Sequence, residues 1–88
     1  MNIPRELLEK PIAYFEEFGL PVRTINELER CLGAIFLHDL GMLTRKEFLD
    51  TGGMGVETLR GLELAIINAM EKWNEEKEAE KEARKVNA

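Results

Sequence analysis

From Val56 onward nothing breaks the helical pattern for about thirty residues, and Leu59, Leu62, Ile66, Ala69 or Met70, and Trp73 return to one face. A chain of 88 residues that commits so much length to one helix has room for one compact domain, since a folding unit takes roughly 50–200 residues. The remaining segments must therefore pack against the first part of this helix. Its apolar face stops near Trp73. Beyond it, residues 74–88 offer only Ala79, Ala83 and Val86 as apolar positions, too few for a buried heptad seam. Pairs such as Lys72 with Glu76 and Glu80 with Arg84 favour a solvated helix by about 0.2–0.5 kcal/mol each, while Lys77 with Lys81 and Glu78 with Glu82 oppose it. The expected organisation is a helical domain over residues 1–73 and a charged helical or frayed tail over residues 74–88.

No apolar run approaches the ~20 residues that a bilayer span requires, and Met1-Asn2-Ile3-Pro4-Arg5-Glu6 lacks a basic-then-apolar leader. The expectation is a soluble cytoplasmic protein with no membrane partner. Cys31 is the single cysteine and His38 the single histidine, so neither an internal disulfide nor a metal-ligand set is expected. Core packing must supply the stability.

Twelve basic against seventeen acidic residues give a net charge of −5, which disfavours non-specific coating of a polyanion. Residues 1–70 carry net −4 and residues 71–88 net −1. Any nucleic-acid contact must be local.

Leu7, Leu8, Pro11, Ile12, Phe15 and Phe18 recur at helical steps, with Pro11 as an interruption and Gly19 as an end, so one short helix or two is expected up to Phe18. Leu20-Pro21-Val22 reads as extended, because a residue before proline is pushed out of the α region. Thr24 and Glu27 form a T-x-x-E capping box, Ile25, Leu28 and Leu32 an apolar stripe, and Gly33 a stop, which predicts a helix near residues 23–32. Residues 35–43 are densely apolar and fit a short buried helical turn. Thr44 and Glu47 make a second capping box, with Phe48 and Leu49 facing inward. No segment alternates with period two, so the fold class is all-α, a compact four- or five-helix domain.

The segment Phe48-Leu49-Asp50-Thr51-Gly52-Gly53-Met54-Gly55-Val56-Glu57-Thr58-Leu59 resembles the helix-hairpin-helix motif. Glycines permit positive φ and close approach, and free backbone N–H groups at the start of the next helix point at an anion. A plain tight turn is the alternative. The ordered run Leu20-Pro21-Val22-Arg23-Thr24-Ile25-Asn26-Glu27-Leu28, then Ile35, Asp39-Leu40, Leu43-Thr44, Glu47-Phe48-Leu49 and Gly53-Met54-Gly55 with Thr58-Leu59, is similar to the C-terminal domain of the bacterial RNA polymerase α subunit. The resemblance covers residues 7 to 67.

That resemblance implies a DNA-binding, transcription-associated module. By position it places Arg23 in the minor groove, Asn26 one turn later, and Gly53, Gly55 and Thr58 on the DNA backbone. A narrow A·T-rich minor groove concentrates negative potential and attracts an inserted arginine. Two positions depart from the family pattern: Glu27 stands where it has a cysteine, and Glu57 where it has a phosphate-binding lysine. Gly61 replaces a glutamate used there for partner contact. A carboxylate in a helix's first turn satisfies free N–H groups and the dipole by about 0.3–1 kcal/mol, so Glu57 competes for the anion position.

These carboxylates favour a transcription protein as partner, and Glu27, Glu57 and Trp73 are the candidates for holding it. The rival reading is a protein-interaction adaptor of the same fold that has lost DNA binding. Arg23 also reads as a surface arginine paired with Glu27 at i,i+4. Asn26 can equally serve backbone hydrogen bonding. His38 reads as a structural or surface residue, Cys31 as apolar filler, and the aromatic residues as core. Adjacent glutamates point in different helix directions and enclose no acid/base pair. No catalytic residues, cofactor, metal or small-molecule substrate are expected.

Overall fold

The computed structural model describes residues 2–41, 44–50 and 55–87. They form helices α1 (Arg5–Leu8), α2 (Val22–Leu32), α3 (Arg45–Asp50) and α4 (Val56–Asn87). Two 3₁₀ helices are inserted, η1 (Ile12–Phe18) between α1 and α2, and η2 (Leu37–Leu40) between α2 and α3. The architecture is all-α. Among the described residues the β-like feature is an isolated antiparallel bridge between Pro11 and Phe36.

Local sequence chemistry sets the breaks. Pro11, at φ −64° and ψ 150°, separates α1 from η1. Gly19 ends η1 at φ 102°, and Gly33 ends α2 at φ 65°, both in the left-handed region that costs other residues roughly 1–2 kcal/mol. The second T-x-x-E site makes its N-cap bond: Thr44 Oγ1 accepts the Glu47 N–H at 3.1 Å, and the Thr44 hydroxyl donates to the Glu47 carboxylate at 3.2 Å. The first does not. Pro21 is the N-cap of α2 with no side-chain cap bond, so the helix starts before Thr24, and Glu27 pairs instead with Arg23. Proline's fixed φ is already suited to a helix entry, and the N-cap lies three residues upstream, at Pro21 in place of Thr24.

Phe15, Ile12, Leu20 and Leu28 are fully buried, and α4 adds Leu59, Leu62, Ala65, Ile66 and Ala69 to the same core. Phe48 of α3, Leu37 of η2 and Leu7 of α1 close it. α4 packs chiefly on η1, and the Asn68 side-chain amide donates to the Phe18 carbonyl at 3.2 Å across that contact. Lys72 sits over the Phe18 ring, 5.6 Å from its centroid, rather than pairing with Glu76.

The apolar run after α2 is not uniformly buried. Leu37 is buried, yet Ile35 is 54% exposed and Phe36 41% exposed. Backbone bonding explains the outward turn. The Ile35 carbonyl accepts the Ile12 N–H at 2.8 Å, and the Asp39 carboxylate accepts the N–H groups of Ile35 and Phe36 at 3.0 and 2.9 Å. Those two N–H groups, Phe36 first, hold the Asp39 carboxyl below its ordinary range. His38 stacks on Phe36, with ring centroids 5.6 Å apart and planes at 6°, and is a surface residue. Met42 and Leu43 lie outside the described residues.

α4 has 32 residues, about 48 Å at ~1.5 Å per residue, and sets the longest dimension of a molecule measuring 54 × 22 × 19 Å. At the end of its apolar face, one turn beyond the buried Ala69, α4 is tied to the body by a polar clasp. The Trp73 indole N–H donates to Glu6 Oε2 at 2.9 Å, and Lys77 Nζ lies 3.3 Å from Glu6 Oε1. Lys77 Nζ also sits 5.6 Å from the Trp73 ring centroid. The indole bond, followed by Lys77, holds the Glu6 carboxyl below its ordinary value, and Glu6 in turn raises Lys77. Farther out, the ion pairs are Lys77 with Glu80 at 3.6 Å and Lys81 with Glu78 at 4.0 Å. Glu80 therefore pairs toward Lys77 and not toward Arg84.

Candidate nucleic-acid interface

α2 turns Leu28 into the core and leaves the opposite face to solvent, where Arg23, Asn26, Glu27 and Arg30 line one shallow depression. The start of α4 meets the start of α2 in an adjoining depression lined by Pro21, Arg23, Thr24, Glu27, Glu57 and Thr58. Arg23 and Thr58, far apart in sequence, thus border a single concavity. Asn26 lies on the neighbouring part of the same surface.

Electrostatically the concavity is mixed. Arg23 Nε donates to Glu27 Oε1 at 3.2 Å, with the arginine side chain 90% exposed and the glutamate 20% exposed. An exposed pair of this kind contributes about 0.3–0.5 kcal/mol, so a phosphate or carboxylate offering comparable hydrogen bonds can displace it. Glu57 is exposed in the first turn of α4. The first intrahelical bond there runs from the Leu59 N–H to the Gly55 carbonyl at 3.1 Å. The N–H groups of Val56, Glu57 and Thr58 precede that ladder and face the same end of the molecule.

Of the two hairpin glycines assigned to the DNA backbone, Gly53 lies outside the described residues. Gly55 is exposed, its φ is outside the positive range, and a Cβ added to it meets nothing within 4 Å. The positive φ expected of the hairpin glycines is therefore not found at Gly55. Its carbonyl, which opens the α4 ladder, is its visible contribution.

Trp73 stands apart from this surface. It is fifteen residues beyond Thr58, about 22 Å along α4, and is half-buried under the Glu6 and Lys77 clasp. Cys31 is half-buried against the core, as filler would be. Among the described residues no polar side chain is buried, and no group of three or more His, Cys, Asp or Glu is placed to hold a metal ion. No described helix is long and apolar enough to cross a membrane.

Sequence reasoning missed Arg30. It lies seven residues after Arg23, two turns along the same helix face, and borders the depression that holds Arg23, Asn26 and Glu27. That spacing was the available signal. No family model matches the chain, and no curated protein or solved structure matches it.

Proposed function

We propose that this chain is a small transcription-associated binding module that contacts DNA at its backbone and minor groove, in the manner of the RNA polymerase α C-terminal domain that its sequence resembles. Arg23 supplies the guanidinium for an A·T-rich minor groove, and Asn26 and Thr58 supply hydrogen bonds. The α4 start at Gly55 offers backbone N–H groups to a phosphate. Gly53 belongs to the same assignment by sequence position. The observation that carries the reading is the shared concavity of Arg23 and Thr58. No catalytic step or cofactor forms part of it, and the cytoplasm is the compartment it implies.

One observation favours the second reading, a protein-interaction adaptor of the same fold. Glu27 and Glu57 both line the concavity. Two carboxylates there oppose a phosphate and suit a partner that brings its own cations.

Titration of an A·T-rich duplex into labelled protein, followed by amide chemical shifts, tests the choice. Shifts concentrated at Arg23, Asn26, Gly55 and Thr58, and weakened by added salt, support DNA contact. An unchanged spectrum at low salt removes it and leaves the adaptor.

A further inference from the structure

Arg30 has no part in the roles assigned above, and its electrostatic position differs from that of Arg23. Among the described residues Arg5 is paired with Glu9, Arg23 with Glu27 and Arg45 with Glu63. Arg30 is exposed and, like Arg60 and Arg84, has no ion pair among them; of the two guanidinium groups on the outer face of α2 it is the unpaired one. Glu27, the carboxylate lining the same depression, is engaged by Arg23. The outer face of α2 therefore carries one compensated and one uncompensated guanidinium, in the same depression with Asn26 between them.

The spacing has a physical meaning. Seven residues of α-helix place Arg23 and Arg30 about 10.5 Å apart along the axis, at ~1.5 Å per residue. One strand of duplex rises about 3.4 Å per nucleotide, so that separation corresponds to roughly three base steps. A helix lying with this face parallel to the duplex axis, with Arg23 entering the groove, carries Arg30 to the phosphate chain about three steps away. A planar guanidinium suits a phosphate there, and no local carboxylate has to be displaced first.

We propose that Arg30 is a phosphate anchor for the same DNA surface: it fixes the register of α2 along the strand while Arg23 reads the groove. This rests on the DNA reading given above. The partner is the duplex backbone, so the contact contributes affinity without sequence preference.

The test uses the full chain and an A·T-rich duplex, with dissociation constants measured across a salt series for the parent protein, Arg30→Gln, Arg30→Lys and Arg23→Gln. Arg30→Gln is expected to weaken binding several-fold on A·T-rich and G·C-rich duplexes alike, and to make the slope of log affinity against log salt shallower by about 1. Arg30→Lys should restore that slope, because lysine remains a point charge for phosphate. Arg23→Gln should instead narrow the difference between the two duplexes. Thermal melting of each variant shows whether the fold is retained. Arg30→Gln binding with the parent's affinity and salt slope, while Arg23→Gln is impaired, overturns the anchor and leaves the DNA reading standing. Absence of saturable binding by the parent protein overturns both.

Discussion

Between Val56 and Trp73, α4 buries Leu59, Leu62, Ala65, Ile66 and Ala69 against η1 and its neighbours, whereas from Glu78 to Arg84 every side chain of the same helix is exposed. One backbone conformation is thus supported in two ways. The first stretch is held by removal of apolar surface from water and by cross-links such as Asn68 to Phe18. The second has only intrinsic helix propensity and exposed ion pairs, each of them weak. A continuous helix does not imply continuous stability. Local opening free energies should fall from the global value in the packed stretch toward zero in the outer one.

The largest effect expected from testing this contrast comes at Ile66. Ile66→Ala removes a buried side chain from the core face of α4 and should cost about 2–5 kcal/mol, read as a lower denaturant midpoint with little change in slope. A loss well under 1 kcal/mol would mean that the packed stretch is not the source of stability.

An intermediate effect is expected at the clasp that joins the two stretches. Glu6 titrates below its ordinary value of 4.5, so the folded state favours its charged form. The clasp is therefore complete above pH 4.5 and is lost as pH falls through the depressed folded value. Trp73 emission should change in that acid window. In Glu6→Gln the acid-dependent change should vanish, and persistence of the same transition in that variant would assign it to another group, Asp39 being the next candidate.

The smallest effect belongs to the outer stretch. Ala83→Gly lowers helix propensity by about 1 kcal/mol locally, which should reduce far-UV helicity while leaving cooperative unfolding of the body unmoved. A shift of the global midpoint by that substitution would erase the distinction between the two stretches.

The breaks at Pro11, Gly19 and Gly33 were legible because each acts through backbone sterics that need no distant partner. The two T-x-x-E patterns show where such legibility ends. The N-cap bond at Thr44 forms, while that at Thr24 is pre-empted by Pro21, although the spacing is the same. On the candidate surface Arg23, Asn26 and Glu27 could be read as one helix face, and Arg30 belongs to that face by the same rule. The outward turn of Ile35 and Phe36 and the clasp of Trp73 on Glu6 were not legible. They depend on bonds to segments far away in sequence: Ile12 N–H to the Ile35 carbonyl, and Trp73 to a residue 67 positions earlier.

The elongated outline set by α4 has a hydrodynamic consequence. A particle of 54 × 22 × 19 Å rotates faster about its long axis than across it. Amide vectors in α4 lie close to the helix direction, so their transverse relaxation reports chiefly the slow end-over-end rotation. Amides of η1 and α3 that lie across that direction sample the faster spin. Order parameters for the outer stretch of α4 therefore have to be extracted with an axially symmetric diffusion tensor, because an isotropic fit would convert this geometric difference into false rigidity.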